Sequence, residues 1–244
     1  MRLWKAWIIA TKDFSVFRKN KYILYSLVGM PLVFALIVPI TIFYSLPTGQ
    51  IPLEVLSSMI NTMNTFFIFI PAILPTIIAS YSFVGEKLEK SLEPLLATPT
   101  TDSELLFGKS LAAFLPSILA TYIGSIGFVI FVDMETYNRF NTILLPSWEW
   151  AIIMAFAAPL ACILSVEINV IISSRVNDVR AAQQLGGLVI LPLVLIFSLA
   201  QSKIVTIDIF SLLFISSILL VADMVLYYIS RIIFQREEIL TKWK

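Results

Sequence analysis

Six long apolar stretches constrain this chain more than any other feature: Tyr22–Leu46, Met59–Phe83, Leu111–Val132, Trp150–Ser174, Ala181–Ala200 and Ile209–Ser230. A helix of about 20 residues, rising about 1.5 Å per residue, crosses the roughly 30 Å of a bilayer's hydrocarbon, and each stretch reaches that length. The chain is 59% hydrophobic and 14% charged. A soluble domain carries about 45–50% apolar and about 25% charged residues, because its surface needs polar cover. Here the excess belongs in lipid. No water reaches the bilayer core to satisfy free backbone groups, so the spans must be helical. The predicted fold is therefore an all-α polytopic membrane protein with six transmembrane helices in one domain over residues 1–244. The fifth stretch is the weakest, with Gly186, Gly187 and Pro192 inside it. It is expected to be broken or partly re-entrant, which is tolerated where the backbone faces protein or a cavity.

Net charge is +1 and names no partner, but the positions of the basic residues are informative. With six spans and both termini cytoplasmic, 15 of the 17 lysines and arginines fall inside. They lie in the leader 1–21 with Lys21, in the loop 84–109, at Arg175 and Arg180, and in the tail 231–244. Only Arg139 and Lys203 fall outside. This bias predicts a multi-pass protein of the cell membrane with cytoplasmic N- and C-termini. The outer connections are too short for a receptor domain or a soluble enzyme.

The leader alternates Leu3, Trp7, Phe14 and Phe17 near one helical face with Arg2, Lys5, Lys12, Arg18 and Lys19 elsewhere. That pattern predicts an amphipathic helix in the membrane interface, in contact with lipid; an ordinary charged leader is the plainer reading. Residues 84–109 hold eight charged side chains. Glu86, Glu89 and Glu93 fall at helical spacing, and Leu88, Leu92, Leu95 and Leu96 give a second, apolar face. Pro94 should stop or bend this helix, Thr98-Pro99 marks a turn, and Thr101 or Asp102 can cap a new helix from about Ser103. A short amphipathic helix, a turn and a re-entry result. The segment is either a solvated loop lying on the membrane or a docking element for a cytosolic partner.

Two acids lie deep in spans. Glu167 is eight residues before Arg175, and Asp223 eight before Arg231. Charge in lipid costs at least a few kcal/mol, so these acids should face the bundle, a wet cavity or a partner. With Asn169 they form either part of a translocation path or intramembrane polar structure. Catalytic chemistry has little to work with: there is no histidine, one cysteine (Cys162, in an apolar run) and no phosphate-binding glycine loop. No catalytic, cofactor or metal residue is assigned, and the chain is not read as an enzyme or as a partner of nucleic acid.

The run Gly85-Glu86-Lys87-Leu88-Glu89-Lys90-Ser91-Leu92-Glu93-Pro94-Leu95-Leu96-Ala97-Thr98-Pro99 resembles the signature of ABC-2 type permeases. These are membrane subunits of ATP-binding-cassette exporters. Ser91, Leu92, Glu93, Leu95, Leu96, Thr98 and Pro99 match the motif, and Leu105, Leu106, Gly108 and Lys109 match the element after it. Glu89-Lys90 replaces the family's usual Arg-Gly, which makes that turn more helical. The resemblance implies that the leader is a connecting helix at the cytoplasmic surface. It implies that Glu86, Leu88, Glu89, Leu92, Glu93, Pro94, Leu95, Leu96, Thr98 and Pro99 form a coupling helix on an ABC-type ATPase subunit. A second permease copy, and ATP with Mg²⁺ held by the ATPase, are implied as well. A gradient-driven secondary transporter and a non-transporting membrane scaffold are the alternatives, and neither accounts for the 84–109 motif.

Overall fold

A computed structural model of the chain describes residues 2–45, 53–88, 100–201 and 208–233, and these contain helices and turns but no strand. Helix α1 (Leu3–Phe17) is followed by α2 (Lys21–Leu32), a π-helical turn (Val33–Ile37) and α3 (Val38–Ser45). Next come α4 (Leu53–Asn64), α5 (Phe66–Ser80), a second π turn (Tyr81–Gly85) and the single turn α6 (Glu86–Leu88). The remainder is α7 (Asp102–Phe140), α8 (Trp148–Ile152), a third π turn (Ile153–Ala157), α9 (Ala158–Arg175), α10 (Val179–Gly187), α11 (Ile190–Gln201) and α12 (Ile209–Ile233).

Local chemistry explains most boundaries. Asn20 caps α2 by accepting from the Tyr22 amide at 3.0 Å. Thr101 caps α7 in a reciprocal box with Glu104, satisfying two amides that have no partner within the helix. Ser147 caps α8 by accepting from the Trp150 amide, and Asp178 caps α10 by accepting from the Arg180 amide. Asn141 ends α7 in the left-handed conformation that asparagine tolerates. Two of the π turns end two residues before a proline, Pro39 and Pro159. A proline ring clashes with the carbonyl four residues earlier, here Ala35 and Ala155, and each of these lies inside the π turn that relieves it. The π turn at Tyr81–Gly85 has no such proline.

Five helical runs among the described residues are long and apolar enough to span a membrane: Lys21–Thr41, Val55–Gly85, Asp102–Phe140, Trp148–Arg175 and Ile209–Ile233. The predicted fifth span differs. It is two helices, α10 and α11, with a turn at Leu188 and Val189. Pro192 would clash with the Leu188 carbonyl, and the glycines at 186 and 187 hold the helix weakly, so the break falls where expected. The second run starts earlier than predicted, with α4 joined to α5 through a turn at Thr65. The third is longer: 39 residues make α7 about 58 Å long, well beyond the hydrocarbon. Its extension past Val132 is held by the Glu135–Arg139 ion pair and by Asp133, which accepts from the Leu144 and Leu145 amides.

Helix α5 is the centre of the bundle, with α9 packed along it and α7, α2 and α10 around it. Pro71 and Pro75 lie within α5 without interrupting it. The core has two halves. One joins α5, α7 and the α8–α9 region through Phe67, Phe128, Val132 and Ile153. The other joins Ile9, Ala10 and Phe17 of α1 to Ile78, Phe83, Leu105, Ala112 and Val170. The leader helix is thus built into the core. Its buried face is Ala6, Ile9, Ala10, Asp13 and Phe17. Leu3 and Trp7, predicted on the apolar face, point outward with Trp4 and Ile8. Close approach sets this rotation: a Cβ at Gly108 of α7 would lie 2.7 Å from the Ala6 carbonyl oxygen. At the α2–α7 crossing a Cβ at Gly124 would lie 2.6 Å from Pro31 Cβ. α2 and α12 leave most of their apolar surface outside the bundle.

Candidate functional site

Where α1, α5 and α7 meet, three buried or nearly buried charged side chains and the exposed Lys12 form one network. Lys109 is fully buried, in the second turn of α7. Its ammonium lies 2.7 Å from Glu86 Oε2 and 3.6 Å from Asp13 Oδ2. It donates to the Ser82 carbonyl at 2.7 Å and to Ser82 Oγ at 3.1 Å. Ser82 Oγ donates to Asp13 Oδ2 at 2.5 Å. Lys12 of α1 pairs with Glu86 Oε1 at 2.7 Å from the more exposed side. The Phe83 ring lies 5.2 Å from the Lys109 ammonium, within cation–π range. Lys109 faces two acids in the interior, and the exposed Lys12 supplies the second positive charge that balances them.

Each element contributes for a local reason. Gly108 lets α1 lie against the base of α7, which brings Asp13 over Lys109. The Arg2 amide donates to Glu104 Oε1 at 2.7 Å, fixing the start of α1 to the cap of α7. The Tyr81–Gly85 π turn brings both Ser82 oxygens and Glu86 to one ammonium. Burial pushes the Asp13 carboxyl above its ordinary range, and the nearby Lys109 charge and the Ser82 hydroxyl only partly counter this. Burial pushes Glu86 up as well, but Lys109 and Lys12 together outweigh it and hold Glu86 below the usual range.

Of the predicted coupling residues, Glu86 and Leu88 are described. Leu88 is 60% exposed. The Glu86 carboxylate turns into the network, so its charge is engaged by Lys109 and Lys12 within this chain. Glu89, Leu92, Glu93, Pro94, Leu95, Leu96, Thr98 and Pro99 lie outside the described residues. Sequence reasoning did not find Asp13 or Ser82 and gave Lys109 no role beyond a motif match. One signal was available: Asp13 shares a helical face with Ala6, Ile9, Ala10 and Phe17, and an acid on an apolar face needs a buried partner.

A second polar group lies within the spans. Asn169 of α9 is fully buried, donates to the Ser165 carbonyl at 2.8 Å and accepts from Ser80 of α5 at 3.4 Å. Gly186 of α10 presses against the same amide. This geometry ties three helices together. Glu167 accepts a hydrogen bond from Ser230 of α12. Asp223 sits on the same α12 face two turns earlier, buried, and neither of its oxygens is hydrogen-bonded among the described residues. A cavity of about 310 Å³ opens between α7, α9 and α12, with Glu167 and Tyr227 on its wall.

A bundle of membrane-length helices, with α1 clamped against its α5 and α7 ends by charged side chains, defines a multi-pass membrane protein. The profile of the family described as "ABC-2 family transporter protein" matches residues 7–209. The chain belongs to that family and is a transmembrane transport component of an ATP-binding-cassette system. Such permeases typically work with an ATP-binding subunit and are generally not catalytic themselves. A search of curated proteins finds no relative of this chain.

Proposed function

We propose that the chain is the permease subunit of an exporter, forming the translocation path and receiving motion from a separate ATPase subunit. The ATPase holds ATP and Mg²⁺; this chain holds neither. Residues 84–109 are the coupling region. Six spans cross the membrane, with α10 and α11 making the broken fifth, and both termini are cytoplasmic. α1 is the connecting helix, and Leu3, Trp4, Trp7 and Ile8 rest in interfacial lipid, which accounts for their exposure. A second permease copy completes the path, and α2 and α12 have the uncovered apolar surface to meet it.

The observation that carries this reading is the Asp13–Lys109–Glu86 clamp. It ties the connecting helix, the entrance to the coupling region and the base of α7 into one mechanical unit. A push on residues after Glu86 is then shared by α1, α5 and α7 rather than absorbed by a loop. Coupling between sites requires a physical link of this kind and two states for it to bias. The two states are the packings of the spans between the two copies.

The test is affinity capture of the tagged chain from its native membranes in mild detergent with nucleotide. An ATP-binding-cassette ATPase is expected in the eluate, reduced when Leu88 is changed to Glu. Recovery of the intact chain without any such ATPase overturns the assignment.

A further inference from the structure

The cavity between α7, α9 and α12 carries an acid, Glu167, that has no basic partner among the described residues. Its walls are apolar except for Glu167, Ser110 and the Tyr227 hydroxyl. Phe107 and Phe114 face it from α7, and Ile163 and Val166 from α9. Glu167 is 5% exposed and Asp223 7%. The two acids are close enough to interact electrostatically. Among the described residues, the ion pairs engage Asp13, Glu86 and Glu135, and neither intramembrane acid has a lysine or arginine partner. Glu167 has only the Ser230 hydroxyl, and both Asp223 oxygens have no partner. Ser110 Oγ, on the cavity wall, is also buried without a partner.

We propose that this cavity binds an amphipathic organic cation, with Glu167 as its counter-charge and Phe107, Phe114 and Tyr227 as its aromatic walls. Elimination and complementarity agree. An anion would be repelled by Glu167. A neutral apolar molecule would fill the space without engaging Glu167, the acidic group on the wall. A metal ion would lack ligands, since the described residues hold no cluster of three or more His, Cys, Asp or Glu side chains. A small inorganic cation would leave the apolar walls unfilled. A positive group carried on an apolar body satisfies both requirements, its charge meeting Glu167 on the cavity wall. Its body covers aromatic faces that attract cations in their own right. The volume of about 310 Å³ lies at the lower end of the about 300–1,000 Å³ typical of small-molecule pockets. The cavity lies beside the N-terminal third of α7, where its wall residues Phe107 and Ser110 are two and one positions from Lys109 on other faces of the helix. Occupancy and the clamp therefore share one helix.

This inference rests on the transporter reading and supplies its substrate class. It is tested without an ATPase, so a chain that binds the cation but recruits no ATP-binding subunit keeps the site and loses only the coupling. The full chain is reconstituted in lipid nanodiscs, and binding of radiolabelled tetraphenylphosphonium is measured against empty discs. Tetraphenylborate, of the same shape and opposite charge, is the control. Saturable binding of the phosphonium and none of the borate is expected. Glu167→Gln should weaken phosphonium binding about tenfold or more, the loss of one desolvated charge contact. Ile163→Trp, which fills the cavity and leaves both carboxylates intact, should abolish it, and this variant decides the matter if Glu167→Gln does not fold. Absence of saturable binding, equal binding of the two ions, or phosphonium binding unchanged by Ile163→Trp overturns the proposal.

Discussion

Replacing Lys109 with methionine keeps the length and removes the charge. The ammonium is fully buried, 2.7 Å from Glu86 and 3.6 Å from Asp13. At an effective dielectric constant of about 20, these separations correspond to about 6 and about 5 kcal/mol of attraction. Desolvating the ammonium costs several kcal/mol and cancels much of that gain. What the substitution adds is the penalty of leaving two carboxylates and the Ser82 oxygens without their donor. Breaking a buried pair by removing one partner costs about 3–5 kcal/mol, and that is the expected loss for Lys109→Met. The test is unfolding in mixed micelles by increasing sodium dodecyl sulfate, followed by tryptophan fluorescence, with Trp4 and Trp7 reporting on α1. Adding Asp13→Asn restores the charge balance and should recover about 1–3 kcal/mol of the loss. A cost below about 1 kcal/mol, typical of an exposed pair, or no recovery in the double variant, would refute the clamp.

Three further outcomes follow from the same geometry. Gly108→Val should cost about 1–3 kcal/mol by overpacking and free α1 for tryptic cleavage at Lys12, because its Cβ would lie within 2.9 Å of both Ala6 and Ile9. Unchanged cleavage kinetics would show that α1 is not held there. Asp13, raised by burial, binds its proton more tightly in the folded state, so its contribution is full at low pH and is lost as pH rises through its folded value. Wild-type stability should therefore fall relative to Asp13→Asn as pH rises above the ordinary aspartate range, and stability curves that stay parallel there contradict the burial. Asn169→Ala should cost about 1–3 kcal/mol by leaving Ser80 without its α9 partner and emptying the space beside Gly186. No change in the denaturation midpoint would remove Asn169 as a tie.

The helical membrane class was legible because lipid imposes one rule, about 20 apolar residues per crossing, that a sequence displays directly. The cap at Thr101 and the break near Pro192 were legible because each depends on residues a few positions apart. The continuation of α7 through Asp133–Phe140 was not, since polar residues there read as a loop and the Glu135–Arg139 pair, the Arg139 contacts to Phe43 and the Asp133 contacts sustain the helix. The rotation of α1 was also hidden. The periodicity of Leu3, Trp7 and Phe14 names an apolar face but not which face meets protein, and Gly108, about a hundred residues away, decides that. The clamp was missed for the same reason: Asp13, Ser82 and Lys109 come from three segments whose adjacency is a property of the packed helices. Glu167 and Asp223 stood out singly because charge in a span is conspicuous, but their common position between α9 and α12 follows from the fold.

The central claim is that this chain receives force from an ATPase through the segment after Glu86 and passes it through the clamp. The most direct measurement is ATP hydrolysis by the captured ATPase in proteoliposomes, with and without this chain. The account predicts that the wild-type chain changes the hydrolysis rate, that Glu93→Arg abolishes the change by preventing docking, and that Lys109→Met/Asp13→Asn docks but fails to transmit it. Hydrolysis indifferent to the chain, or altered equally by all three forms, would contradict it.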